Sequence, residues 1–216
     1  MKKHEISNGK SFPIGPSKTQ KGVNFCVYSH HAERVELHLF DHKNDANPSH
    51  VFRLSASHNK TYVYWHIEVT NIQEGQLYGY KVIGDGTDGH CLDDKKLLID
   101  PYARATAVSD YYSREKASIP GNNTKYAIKT IWVDNENYDW GDDIPLKHDY
   151  FKTVIYEVHV GGFTKNENSG VTAKLRGTYL GKIEKIPYLK QLGITAVELL
   201  PVHQFDEKDA PGGLNY

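Results

Sequence analysis

The sequence has 216 residues, 38% hydrophobic and 25% charged, the make-up of an ordinary globular chain with room for one large domain or one domain and part of another. A net charge of −1 with 12 scattered His offers no basic block for nucleic acid and no acidic run for a disordered tail. Two cysteines, Cys26 and Cys91, cannot build a disulfide framework or a thiolate zinc site. MKKHEISNGK has no apolar leader core, and no apolar run approaches the ~18 residues of a membrane span. The expectation is a cytoplasmic chain with no membrane partner.

From residue 9 to about 100, short runs alternate apolar and polar residues between turn signals. Val23 to Ser29 places Val23, Phe25 and Val27 on one face, and Arg34 to Phe40 does so with Val35, Leu37 and Leu39. Tyr62 to Val69 aligns Val63, Trp65, Ile67 and Val69, and Leu77 to Ile83 aligns Tyr78, Tyr80 and Val82. This period marks half-buried antiparallel strands. The Gly84 to Gly89 string supplies turn chemistry. With no helical period interrupting the series, residues 1–105 read as a β-sandwich of ordinary size.

Residues 106–150 read as an irregular connector packed on its neighbours, because Ile131, Trp132, Tyr138 and Trp140 do not belong in a flexible linker. The pattern then changes. Thr153 to Val160 is β-branched and strand-like, and Ile183, Ile186, Leu189 and Leu192 form one helical stripe. Pro187 fits there because the first helical N–H groups lack partners, and Gly193 is the stop. Ala196 to Val202 is again nearly all apolar. Strand, helix and strand make a βαβ unit whose strands read as buried on both faces. Fourteen residues follow Val202 and cannot cover it, so a truncated domain, or one completed by another chain, is expected.

The strings VIYEVHVGGFTK and LRGTYLGKIEKIPYLKQLGITAVELLPVHQFDE resemble the opening of the catalytic barrel of isoamylases and glycogen-debranching enzymes. The final GLNY is similar to the start of their NYWGY segment. KLLIDPYARA and YDWGDD have close counterparts in that family, and KGVNFCVYSHHAERVELHLFD resembles its glycogen-binding-type sandwich. The likeness runs from about Gly9 to Tyr216. It implies residues 151–216 as the first βαβ unit of an incomplete (β/α)8 barrel, with the functional face at the C-terminal strand ends. It implies glycogen or another branched α-glucan as partner, together with the remainder of the barrel or another chain, and no cofactor. The family's nucleophile, acid and third carboxylate follow the fourth, fifth and seventh strands. No catalytic residue is therefore expected before Tyr216, and the chain alone should be inactive, since retaining hydrolysis needs two carboxyl groups ~5 Å apart.

Among residues present, His159 and His203 sit at the C-terminal ends of their strands and are candidates for a substrate-binding rim. A His satisfied by nearby backbone is the competing reading. Neither has a second ligand at metal spacing, so no metal site is expected. Glu157 and Glu198 look like a carboxylate pair but read as ordinary barrel residues. Fifteen Tyr and three Trp suit both cores and sugar stacking. Trp65 shares its face with Val63 and Ile67 and belongs to the core; Tyr62, Tyr64 and His66 face the other way, and Tyr64 is the candidate glucan contact. Arg176, in RGTY, borders the loop after the first barrel strand. Alternative functions are a non-catalytic glucan-binding or docking module, and a branching enzyme or trehalose-releasing hydrolase of the same layout.

Overall fold

The computed structural model describes residues 4–84, 93–136 and 138–204, in two compact units that divide between Tyr138 and Asp139. Both Cys91 and the greater part of the Gly84 to Gly89 turn, as well as the terminal GLNY, lie outside the described residues.

The first unit is built from antiparallel strands. They are β1 (Ile6–Ser7), β2 (Gly15–Lys18), β3 (Gly22–Tyr28), β4 (Arg34–Phe40), β5 (His50–Leu54), β6 (Lys60–Thr61), β7 (Tyr64–Thr70), β8 (Leu77–Ile83), β9 (Ala105–Ala107) and β10 (Lys129–Ile131). One sheet runs β1-β7-β3-β2, with β6 also on β7; the other runs β5-β4-β8-β10-β9. The alternation read from the sequence is the packing itself. Val23, Phe25, Val27, Val35, Leu37, Leu39, Trp65, Ile67, Val69, Tyr78, Tyr80 and Val82 all belong to one buried cluster between the sheets. Trp65 is fully buried and spends its single donor on Ser29 O at 3.1 Å, as a buried indole must.

The strand expected from Tyr62 starts later. Thr61 pairs with Tyr64, so Tyr62 and Val63 form a two-residue turn, with Tyr62 at φ 57°. Val63 still reaches the core.

Residues 101–150 are less irregular than their composition suggests. β9 and β10 extend the second sheet, and the short helix α1 (Arg114–Ser118) lies between them. Three-residue strands are too short to show a period, and polar groups hold this stretch in place. Asp100 is buried; it accepts from Tyr78 OH at 2.9 Å and from Tyr102 N at 2.8 Å, while its own N–H donates to Thr130 Oγ1 at 3.0 Å. Burial holds its carboxyl above the usual carboxylate range. Buried Asn123 answers both backbone groups of Leu97, and Lys129, fully buried, donates to Lys43 O at 2.8 Å and Thr124 O at 3.1 Å. Gly79 leaves room where Leu97 and Leu98 cross β8, since a Cβ there would sit 2.9 Å from the Leu97 side chain and 3.0 Å from the Leu98 carbonyl. The KLLIDPYARA string is thus a structural clamp.

The second unit, residues 139–204, holds β11 (Ile155–Val158) and β12 (Ala196–Leu199) as a parallel pair in register from Ile155–Ala196 to Val158–Leu199. Between them lie α2 (Val160–Lys165), α3 (Tyr179–Glu184) and α4 (Ile186–Gln191). The single helix expected from the Ile183 stripe is two. Pro187, second in α4, has no N–H for the Ile183 carbonyl, and the chain turns at Lys185. Gly193, at φ 81°, ends α4 with Gly193 N on Lys190 O and Ile194 N on Leu189 O, the paired bonds of a Schellman stop.

Burial of both strand faces is not observed. Val158, Val171 and Leu189 are the buried apolar residues among those described here, whereas Ile155 is 61% exposed and Val197 41%.

Two outcomes are expected for the sandwich. Asp100→Ala, which strands the buried Tyr78 hydroxyl and removes the acceptor of Tyr102 N, should lower stability in urea by about 2 kcal/mol, whereas Tyr78→Phe should cost less. Burial pushes the Cys26 thiol up to about 11. In a Cys91→Ser background at pH 8, Cys26 should therefore resist disulfide reagents until the protein is denatured; rapid labelling of the native protein would contradict its burial.

Candidate functional site

Register brings Glu157 and Glu198 directly opposite each other on β11 and β12. Tyr156 touches Phe163 of α2, and Val197 and Leu199 line a groove with α3 and α4, so the helices cover the alternate residues. By strand alternation the two carboxylates share the opposite, open face. Like charges side by side cost stability rather than supply it.

His159 is exposed and accounted for locally. It caps α2, its Nδ1 accepting the Gly162 N–H at 2.9 Å, the arrangement that competed with a substrate role. His203 is exposed beyond β12, with no partner among the described residues that would aim it. No hydrogen bond or ring contact joins the two imidazoles. Arg176 is held within its own loop, where its Nε donates to Val171 O at 3.0 Å and its Nη1 to Glu167 Oε1 at 3.3 Å. Gly177 then turns at φ 70° and donates to Thr164 Oγ1 at 2.8 Å, and Thr178 caps α3 by accepting from Gly181 N. Each residue of RGT is thus explained by the folding of the loop between α2 and α3.

The groove formed by Tyr179, Lys182, Ile183, Ile186, Leu189, Val197 and Leu199 encloses about 310 Å³. Its walls are apolar, yet Lys182 Nζ is buried without a hydrogen-bond partner among the described residues, and burial pushes its pKa down.

On the sandwich, Tyr64 is half-buried and sits opposite Tyr28 across β3 and β7, their rings 5.9 Å apart at 67°. Tyr62 is 83% exposed. His66, grouped with them by alternation, is buried instead, held by Thr61 Oγ1 at 2.9 Å and Asn8 O at 2.7 Å. The reason is a layer the alternation could not show: the segment around Asn8 to Ser11 lies across this face, where Lys10 N donates to Asn24 Oδ1 and Cys26 Sγ approaches Ser11 O. Sequence reading passed over Tyr28, although Val23, Phe25 and Val27 pointing inward already place it outward. A cleft of about 1340 Å³ adjoins the same segment, lined by Lys10, Phe12, Lys18, Asn24 and Glu68 among others. Among the described residues no cluster of His, Cys, Asp and Glu could hold a metal, and no helix is long and apolar enough to cross a membrane.

With this geometry in view, comparison with known proteins shows what the chain is similar to. Residues 13–103 match carbohydrate-binding module 48, the isoamylase N-terminal domain. Over nearly its whole length the chain is similar to isoamylases and GlgX homologues, as its motifs suggested. It is 41% identical over 214 residues to isoamylase 3, chloroplastic, of Oryza sativa subsp. japonica, covering 94% of this chain and 26% of that protein. To the glycogen operon protein GlgX homolog of Mycobacterium tuberculosis (strain ATCC 25618 / H37Rv) it is 37% identical over 212 residues, covering 91% and 28%. The chain thus spans about a quarter of the length of the curated relatives it matches. Among solved structures, the multi-modular glycogen-degrading pneumococcal virulence factor SpuA aligns with a TM-score of 0.65 at 25% identity, over 91% of this chain and 20% of that one. The apo pullulanase of Paenibacillus barengoltzii shares the fold, with a TM-score of 0.66 at 19% identity over 93% and 28%.

Lys182→Met removes an unpartnered ammonium from an apolar wall. Because burial lowers the Lys182 pKa, its ammonium opposes folding in full at every pH below that lowered value, and the penalty fades as pH rises from there through the ordinary lysine range. The variant should therefore raise the thermal midpoint of the segment 139–204 at neutral pH, with the gain shrinking in alkali. A lowered midpoint would mean that the ammonium is stabilising.

Proposed function

We propose that this chain is the N-terminal part of an isoamylase-type debranching enzyme. It would supply a glycogen-binding-type sandwich and the first βαβ unit of a (β/α)8 barrel that cleaves α-1,6 branch linkages in glycogen or a similar α-glucan. One observation carries the reading: the relationship to isoamylases runs through the sandwich and the parallel β11–β12 unit alike, over 94% of the chain. A free-standing sugar-binding module would be expected to match over residues 13–103 alone. The open faces of β11 and β12 suit strands awaiting neighbours, and the remainder of the barrel is the partner that fits them. In this reading the domain limits are 1–105 for the sandwich, 106–150 for the connector and 151–216 for the barrel opening, and the setting is cytoplasmic.

The His159 cap limits what that ring can do. Its Nδ1 is engaged by Gly162, leaving Nε2 free at the strand end to meet a sugar hydroxyl. His203 would stand on the same rim after β12. Glu157 and Glu198 would lie inside the barrel, where a neighbouring cation or hydrogen bond could compensate their repulsion. A docking module made of the same residues is the second reading, favoured by the exposed apolar groove under α3 and α4.

The encoding reading frame separates the two: continuation past Tyr216 into further βα units supports the enzyme, and a stop codon there supports the docking module. Purified 216-residue protein is expected to release no reducing ends from glycogen or pullulan. Release that disappears in Glu157→Gln or Glu198→Gln would overturn the assignment of catalysis to other residues.

A further inference from the structure

The outer face of the β1-β7-β3-β2 sheet is covered in one part and open in another. Side chains of Asn24, Cys26 and Tyr28 on β3 share that face with Glu68, His66 and Tyr64 on β7, pair by pair in register. The segment around Asn8 to Ser11 lies over Asn24, Cys26 and His66, all of which are buried. At the next pair the cover is gone: Tyr28 is 56% exposed and Tyr64 half-buried. Tyr62 extends the open patch from the β6–β7 turn, 83% exposed.

Two features ask for an external ligand. None of the three phenolic hydroxyls is hydrogen-bonded to a described residue, so each tip is available to donate and accept, while the ring face remains apolar. Tyr62 also occupies the left-handed region at φ 57°, in a turn position that glycine fills without strain and an aromatic residue rarely does. Its side chain packs in no described aromatic contact that would offset the strain. Backbone strain at an exposed, unpacked side chain points to a role outside the fold.

The geometry selects among ligands. The Tyr28 and Tyr64 rings meet at 67° and do not form one flat platform. They suit a chain whose successive sugar rings are tilted against one another, as in α-1,4-linked glucose, and not a flat ribbon of β-1,4-linked units. We propose that Tyr28, Tyr64 and Tyr62 form a surface subsite for a linear α-1,4-linked glucan chain, built on the sandwich and using neither His159 nor His203. This rests on the reading of the sandwich as a glucan-binding module and adds where the chain is held.

The 216-residue protein tests it directly, by affinity electrophoresis through amylopectin gels and calorimetry with maltoheptaose and cellohexaose. Wild type should be retarded and should bind maltoheptaose but not cellohexaose. Tyr28→Ala/Tyr64→Ala should weaken maltoheptaose binding at least tenfold. Tyr62→Gly should weaken it several-fold with an unchanged or raised thermal midpoint, which separates lost contact from lost folding. Tyr150→Ala, at a still more exposed tyrosine in the other unit, should bind as wild type does. If wild type binds and the Tyr28, Tyr62 and Tyr64 variants bind equally well, the subsite is elsewhere, although the sandwich is still a glucan binder. If wild type binds no α-glucan, the glucan-binding reading and the subsite both fall. Equal affinity for cellohexaose would overturn the match to a tilted chain.

Discussion

Face-to-face burial between the two antiparallel sheets is the constraint on which the first unit depends. Phe25, Trp65 and Ile67 from one sheet meet Leu37, Leu39, Tyr78 and Tyr80 from the other in a single buried cluster, with the Phe25 and Tyr78 rings 5.0 Å apart. Removing any large member would leave a cavity costing about 3–5 kcal/mol, a large part of a domain's net stability. The same packing brings polar atoms inside, and the chain answers some of them directly. Tyr78 OH is taken by Asp100, and Trp65 Nε1 by Ser29 O. Tyr80 OH finds no partner among the described residues, and burial pushes its pKa well up, so it remains a neutral phenol.

Beyond Asp139 the chain solves a different problem with less material. Its parallel strands bond to each other and take helices on one side only. Loop closure between α2 and α3 depends on Ser169 and Gly177 bonding to Thr164 and on Arg176 bonding to Val171 O, and Gly181 lies so close to the Leu175 carbonyl that a Cβ there would collide. This scaffold is locally well defined, yet it leaves Ile155, Leu199 and Leu200 partly in water. Each half-open aliphatic side chain forgoes roughly 1 kcal/mol of burial. The proposed completion by further barrel units follows from that deficit and from the relatives' greater length.

The central strands β3, β4, β7 and β8 were legible in the sequence because a period of two survives in seven-residue runs. β9 and β10 were not, since three residues cannot show a period and their placement depends on Asp100, Asn123 and Lys129, polar residues whose burial composition does not reveal. His66 illustrates the same limit: alternation gave its face correctly, but only the overlying Asn8 segment decides that this face is covered there and open at Tyr28 and Tyr64. The split between α3 and α4 was not read from the sequence: Pro187 fits the first turn of a helix whether that helix starts at Ile183 or at Ile186, so the apolar stripe alone suggested one continuous element. For the candidate site, His159 was placed correctly at a strand end, while its capping role required the position of the Gly162 amide. RGTY was visible as a motif, but its cap, turn and clamp could be assigned only from hydrogen bonds between residues three to thirteen positions apart.

The sandwich should be self-sufficient, whereas the strands after Thr153 lack cover. Segment-resolved hydrogen exchange on the monomeric 216-residue protein measures both at once, because exchange reports the local free energy of opening. Amides of β3, β4, β7 and β8 should be strongly protected, and those of β11, β12 and the helices between them should exchange rapidly. Slow exchange throughout, in protein shown to be monomeric by sedimentation, would contradict the reading of residues 139–204 as an incomplete domain.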